Sequence, residues 1–88
     1  MEPQHVSALR RAIETAGGQA QLAKRMRDHF SSRGIDSSIK QQTVSYWLRN
    51  ESLIDGYWWP AIEDATDGTV TRNDLRPDVF GERLASIG

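Results

Sequence analysis

The chain contains no cysteine, so it can form neither a disulfide framework nor a zinc site with thiolate ligands. It has no run of about 18 apolar residues, so a membrane-spanning helix is not expected. Its first residues, Met1-Glu2-Pro3-Gln4-His5, lack the basic segment and the apolar run of a signal peptide. We therefore expect a soluble, cytoplasmic protein.

Metal-binding and catalytic patterns are also sparse. His5 and His29 lie far apart, and no acidic pair at metal-ligand spacing surrounds either, so solvated or capping roles are expected for both. No Ser/His/Asp order and no phosphate-binding loop accompanies the scattered acids, which are Asp55, Glu63, Asp64, Asp67 and Asp74. We expect no metal, no cofactor and no enzymatic activity.

At 88 residues and 38% apolar content, the chain is expected to form a single domain over residues 1–88 with a small core.

The charge is unevenly divided between the two halves of the chain. The net charge of −1 at first argues against binding of nucleic acid. However, residues 1–50 hold eight Lys or Arg against four acids, and residues 51–88 hold three against eight. This asymmetry either places a basic face on one side of the fold or arises by chance.

Apolar residues recur at helical spacing in the first part of the chain. The first apolar stripe predicts a helix that ends at Gly17-Gly18. The residues of this stripe are Val6, Leu9, Ile13 and Ala16. The second apolar stripe predicts a helix that begins near Gln19, and its residues are Leu22, Ala23, Met26 and Phe30. Residues 31–38 form a turn-rich connection, and Ser37 or Ser38 is expected to cap the following helix.

The third predicted helix, residues 40–49, has one apolar face and one polar face. The apolar face is formed by Val44, Trp47 and Leu48. On an ideal helix the opposite face holds Gln42, Tyr46 and Arg49, with Gln41 and Ser45 toward the flanks. Glutamine can pair with adenine through two hydrogen bonds, and arginine can reach a phosphate or a guanine. The pattern fits a helix that reads the DNA major groove, and it also fits an ordinary amphipathic surface helix.

Proline and turn residues divide the second half of the chain. Pro60 suits the first turn of a fourth helix that Asp67-Gly68 ends, whereas a start near Asp55 would make Pro60 a kink. Thr71 and Asp74 have the spacing of a capping box, and Pro77 limits the turn that follows. We therefore expect an all-α protein of four to five short helices, with a core over about residues 6–80 and a tail at 81–88.

Several segments, in this order along the chain, carry a family resemblance. They are Ala16-Gly17-Gly18-Gln19, Leu22-Ala23, Gln41-Gln42-Thr43-Val44-Ser45-Tyr46-Trp47-Leu48, Pro60-Ala61-Ile62-Glu63-Asp64-Ala65-Thr66-Asp67-Gly68 and Val70-Thr71-Arg72-Asn73-Asp74-Leu75-Arg76-Pro77-Asp78. Together they resemble the helix-turn-helix domains of phage Cro and repressor proteins, and more narrowly the Cro-like YdaS antitoxin group. The resemblance implies a compact, lambda-repressor-like helix-turn-helix domain.

The resemblance also implies which residues contact DNA. Gln19 matches a position that touches a phosphate and braces the recognition helix, and Ala23 matches the small residue where the two helices cross. Base contacts are implied for the start and outer face of the recognition helix, at Lys40, Gln41, Gln42, Thr43 and Tyr46. Contacts to the DNA backbone are expected from Gln19, Ser45, Arg49, Arg25, Arg27 and Arg33.

The connection between the two helices departs from the family's pattern. From Ala23 to Ile39 the chain has about eleven more residues than the usual short turn requires. Either the second helix extends to Phe30, or a loop bulges near the DNA.

These features predict a sequence-specific regulator that binds double-stranded operator DNA, a Cro-like repressor of phage, prophage or toxin–antitoxin origin. A homodimer on DNA is expected, with a toxin or regulatory protein as a further partner. The alternative is a protein-interaction module that keeps the scaffold but has lost DNA binding, which the acidic second half favours. Tyr57-Trp58-Trp59 is a candidate dimer surface, unless one tryptophan is buried and the other covers a loop.

Overall fold

The computed structural model describes residues 2–79, which form five α-helices and one short 3₁₀ turn. In chain order these elements are α1 (Gln4–Ala16), α2 (Gln19–Ser31), α3 (Gln41–Arg49), the 3₁₀ turn (Gly56–Trp58), α4 (Trp59–Ala65) and α5 (Arg72–Leu75). Residues 77–79 are helical again. Within residues 2–79 there is no β-strand, and the all-α prediction is confirmed. The expected tail at 81–88 lies outside the described residues.

The core is built around α2, which packs against α1, α3 and α4. All four residues of the predicted α2 stripe are buried: Leu22, Ala23, Met26 and Phe30. On α1 the predicted stripe is buried except at Ile13, which packs half-buried against the same cluster. Because α2 contacts three helices, it fixes the position of α3 relative to the rest of the molecule.

The extra residues between α2 and α3 are divided between helix and connection. α2 continues to Ser31, which confirms the alternative in which the second helix extends to Phe30. Residues 32–40, hereafter the connection, then lead to α3. Gly34 takes a positive φ of 74°, and the Ile35 amide donates to the Phe30 carbonyl at 2.9 Å. The connection therefore turns back immediately after α2 ends.

The prediction that Ser37 or Ser38 caps α3 was wrong. The N-cap is Lys40, which has extended backbone angles, and no side chain caps the helix. The Ser37 hydroxyl instead accepts a hydrogen bond from the Ile39 amide at 3.4 Å. Ile39 is only 3% exposed, so its side chain must enter the core before the helix begins. Burial of Ile39 thus shifts the helix start past both serines.

In the second half of the chain, the helices start and end close to the predicted positions. Pro60 is the second residue of α4 and lies in its first turn, where its missing N–H does no harm. α4 ends at Ala65, and the hydroxyl of the buried Thr66 donates to the Ile62 carbonyl at 2.9 Å. The capping box of α5 is confirmed, since the Asp74 carboxylate accepts from the Thr71 amide at 3.0 Å.

The first four α-helices end with the same hydrogen bond. In each, an amide donates to a carbonyl five residues earlier, in the pairs Gly18–Ile13, Ile35–Phe30, Ser52–Trp47 and Gly68–Glu63. The residue before each donor has a positive φ, as this helix ending requires. Glycine fills that position at 17 and 34, but Glu51 and Asp67 fill it after α3 and α4, with φ of 50° and 51°.

Replacing Asp67 by glycine should therefore stabilise the protein. A side chain in the left-handed region is disfavoured, so we expect a gain of about 0.5–1 kcal/mol and a rise in melting temperature of roughly 2–6 °C. Gly34→Ala is the matched control, because its φ is 74° and an added Cβ meets nothing within 4 Å. Thermal unfolding followed by circular dichroism should show a higher melting temperature for Asp67→Gly and a lower one for Gly34→Ala. A lower melting temperature for Asp67→Gly would mean that the positive φ of Asp67 does not destabilise the protein.

A fork-shaped ion pair joins α4 to the start of α5. One carboxylate oxygen of Glu63 accepts hydrogen bonds from the backbone amide of Arg72 at 2.9 Å and from the side-chain Nε of Arg72 at 3.1 Å. The other accepts from Arg72 Nη2 at 2.8 Å. Hydrogen bonding from the Arg72 side chain is the main reason why the pKa of Glu63 lies below its ordinary value.

Glu63 should make stability depend on pH in the acid range. Because its pKa is lowered by folding, its contribution is complete above the ordinary glutamate pKa of about 4.3 and is lost as pH falls through the folded-state pKa. Glu63→Gln should lower the melting temperature by roughly 2–5 °C at pH 7, and the difference from wild type should shrink as the pH falls below the ordinary glutamate pKa of about 4.3. Glu14→Gln, on the exposed face of α1, should match wild type throughout the same pH series. A difference that stays constant down to the pH at which the wild-type protein unfolds would show that the carboxylate charge is not what stabilises this contact.

Candidate nucleic-acid interface

The two faces of α3 lie as the sequence predicts. Val44 and Trp47 are buried, and Leu48 packs half-buried against the core. The exposed residues of the helix are Gln41, Gln42, Tyr46 and Arg49, and Tyr46 is 56% exposed. Thr43 and Ser45 are half-buried at the flanks. The core therefore holds one face of α3 firmly and leaves the predicted reading face open.

The exposed amides are concentrated at the N-terminal end of α3. Gln41 and Gln42 are its first two residues, and the exposed Lys40 is the N-cap. Neither glutamine side chain makes a hydrogen bond within residues 2–79, so their donors and acceptors remain available for a ligand. In helix-turn-helix proteins this end of the recognition helix contacts base edges. The geometry thus suits base contacts at the positions that the resemblance implies.

Gln19 lies beside α3. It is the half-buried first residue of α2 and lines a groove of about 370 Å³ together with Ile13 of α1 and Leu48 of α3. Within the described part of the chain its side chain makes no hydrogen bond. Gln19 therefore lies near α3, at the edge of the groove that α1, α2 and α3 form.

The basic residues without an acidic partner are concentrated on α2, the connection and α3. Ion pairs neutralise the basic residues of α1, of α5 and of the position after α5, in the pairs Arg10–Glu2, Arg11–Asp74, Arg72–Glu63 and Arg76–Asp78. On α2, Lys24 approaches Asp28 at 3.5 Å. The cations with no carboxylate within 4 Å among residues 2–79 are Arg25, Arg27, Arg33, Lys40 and Arg49. Within residues 2–79 the cations without a carboxylate partner thus all lie between the start of α2 and the end of α3, a stretch that also holds the acidic residues Asp28 and Asp36.

Three of the predicted backbone-contact arginines lie against protein atoms. Arg25 donates to the Ala65 carbonyl of α4 at 3.2 Å, and Arg27 donates to the Ile39 carbonyl at 2.8 Å. A guanidinium nitrogen of Arg33 lies 3.5 Å from Nδ1 of His29. Arg49 makes no such contact in the described residues. To reach a phosphate, Arg25, Arg27 and Arg33 would each have to give up a contact with the protein, whereas Arg49 would not.

The prediction of a solvated or capping role for His29 was wrong. The residue is only 5% exposed, and its Nδ1 lies 2.9 Å from a carboxylate oxygen of Asp64 on α4. His29 follows Met26 by three residues, so it belongs to the buried flank of α2, a signal that the spacing already carried. His5, in contrast, bonds to the Glu51 carbonyl at 2.8 Å, next to the end of α3. Neither histidine belongs to a cluster of three or more metal-ligating side chains among residues 2–79.

Both tryptophans of the candidate dimer surface are half-buried by packing within the chain. The Trp58 ring lies edge-on to Trp47 and to Phe30, each at 5.7 Å between ring centroids. The Trp59 indole N–H donates to the Ile54 carbonyl at 2.8 Å. Tyr57 stacks on Phe30 at 5.2 Å yet stays 57% exposed. Of the three residues, Tyr57 offers the most surface to a partner.

Comparison with known proteins gives one match. A protein-family model described as bacterial toxin YdaS matches residues 9–84, a region that includes every predicted DNA-contact residue. No curated protein and no solved structure matches the chain. Among residues 2–79, no helix has the length and apolar character needed to cross a membrane.

Proposed function

The chain belongs to the YdaS family, and on that premise we propose that it is a sequence-specific double-stranded DNA-binding regulator, a Cro-like repressor. The observation that carries the proposal is the pair of unbonded glutamine amides at the start of α3, on a helix whose opposite face is locked in the core. The cations with no carboxylate partner within residues 2–79 lie on the same helix and on the elements that precede it.

Base reading is assigned to the first turn and outer face of α3. Gln41 and Gln42 can each form a bidentate pair with adenine, and Lys40 can donate to guanine. The Thr43 methyl can contact thymine, and the exposed Tyr46 hydroxyl can bond to a base or pack on a sugar. Each good bidentate pair contributes roughly 1–3 kcal/mol of discrimination between bases.

Contacts to the DNA backbone supply the remaining affinity. Arg49, Lys40 and Arg33 are exposed and can reach phosphates, with Gln19 and Ser45 as neutral contacts beside them. Each neutralised phosphate adds about 0.9 to the slope of log affinity against log salt concentration. Because few cations are available and the net charge is −1, we expect a shallow slope and modest non-specific binding.

Repression follows from occupation of an operator. A homodimer would match a palindromic site with half-sites about 34 Å apart, and the exposed Tyr57 is the first candidate for its contact surface. The family match fits a toxin–antitoxin or prophage operon in which the protein represses its own promoter in the cytoplasm. No catalytic step is part of this function.

The test is retention of DNA from the protein's own upstream region. A labelled pool of such fragments is incubated with the purified protein at two salt concentrations in the presence of scrambled competitor. Retention of one fragment, weakened by salt, would support the regulator. Absence of retention at low salt would refute it and favour a protein-interaction module, for which Tyr57→Ser and capture of a protein partner would be the next experiments.

A further inference from the structure

We propose that Arg27 positions the start of α3 and does not bind a DNA phosphate, a role that rests on the proposed DNA-binding function. The guanidinium Nη1 of Arg27 donates to the carbonyl oxygen of Ile39 at 2.8 Å. Ile39 immediately precedes Lys40, the N-cap of α3. Arg27 therefore bonds to the backbone at the point from which the reading helix departs.

The unusual length of the connection makes this anchor necessary. A turn of three or four residues sets the angle between two helices by itself, whereas a longer segment has more conformations to lose. The start of the connection is tied by the Ile35 amide to the Phe30 carbonyl. Its end is tied by the Ile39 side chain in the core and by Arg27 on the Ile39 carbonyl. The second tie lies next to Gln41 and Gln42.

The environment of Arg27 also separates it from the exposed cations. Arg27 is half-buried and its head group is held by a protein carbonyl, whereas Arg49 is exposed and bonds to nothing in residues 2–79. A hydrogen bond from a charged donor is roughly twice as strong as one between neutral groups. Base reading needs the side chains held within about 0.5 Å of the productive geometry. Loss of the hydrogen bond from Arg27 should therefore weaken the discrimination between cognate and scrambled DNA more than it weakens binding to phosphates.

Salt dependence distinguishes a positioning role from a phosphate contact. Arg27→Met, which has neither charge nor donor, should lower the preference for cognate over scrambled DNA about tenfold and leave the salt slope at the wild-type value. Arg27→Lys, which keeps a donor of similar reach, should restore most of that preference. The matched control Arg49→Met should lower the slope by about 0.9 and weaken binding to both DNAs alike.

A measurement on the free protein keeps the inference separate from the proposed function. The Thr43 and Val44 amides donate to the Lys40 carbonyl at 3.0 and 3.4 Å, so their hydrogen exchange reports on the first turn of α3. They should exchange roughly tenfold faster in Arg27→Met, as expected for loss of a charge-assisted anchor, and at the wild-type rate in Arg49→Met. Should Arg27→Met not fold, Arg27→Gln replaces it in both measurements.

Three results would overturn the positioning role. They are a fall of about 0.9 in the salt slope of Arg27→Met, an unchanged preference for cognate DNA, and wild-type exchange at Thr43 and Val44. Failure of the proposed function is recognised differently, because the wild-type protein itself would then show no salt-dependent retention of DNA.

Discussion

Replacing Trp47 by alanine is expected to unfold the protein at ordinary temperatures. Trp47 is 9% exposed, lies in the core cluster and contacts the Trp58 ring edge-on. Truncating a buried tryptophan costs about 3–5 kcal/mol, a large share of the stability of so small a chain. The measurement is urea or thermal unfolding followed by circular dichroism.

The neighbouring Tyr46→Ala is the control for this experiment. It also removes an aromatic ring from α3, but Tyr46 is 56% exposed and makes no side-chain bond within residues 2–79. Its stability should therefore stay close to that of wild type. Equal melting temperatures for both variants would mean that Trp47 does not stabilise the core more than the exposed Tyr46 does.

Replacing Gln42 by alanine should remove discrimination between operator and scrambled DNA without much effect on non-specific binding. Gln42 is exposed near the start of α3, opposite the buried Val44 and Trp47. Loss of one bidentate pair corresponds to about 1–3 kcal/mol, which is a loss of roughly 5- to 150-fold in preference. Titration of both DNAs at one fixed salt concentration measures this ratio directly.

Arg49→Ala provides the contrasting case on the same helix face. As a phosphate contact it should weaken binding to cognate and scrambled DNA about equally and make the salt dependence shallower. If Gln42→Ala showed this pattern instead, Gln42 would not be a base contact. A selective loss on cognate DNA for Arg49→Ala would reassign that residue to base reading.

The arrangement also explains how a chain with net charge −1 can be a candidate for DNA binding. Its acidic residues are partly used to neutralise arginines on α1 and α5, as in the Arg11–Asp74 and Arg72–Glu63 pairs. The cations around α3 have no such partners among residues 2–79. Because screened charges act over about 8–10 Å, the cations nearest to a bound phosphate matter more for its binding than the net charge does.

The sequence by itself determined the helices, their apolar faces and most of their ends. The stripe of α2, the two faces of α3, the place of Pro60 and the capping box at Thr71 are all as predicted. These features depend on residues within one or two turns of each other, so spacing and local hydrogen bonding are enough to predict them. Membership of the YdaS family was likewise indicated by short segments in a fixed order.

Only the tertiary structure decided where the long polar side chains go. Arg25 and Arg27 bond to carbonyls 40 and 12 residues away, and His29 meets Asp64 across 35 residues. The start of α3 moved past Ser37 and Ser38 because the buried Ile39 has to reach the core first. Such partners depend on how the helices pack, and a flexible arginine can reach many of them, so no local pattern in the sequence distinguishes an internal anchor from a phosphate contact.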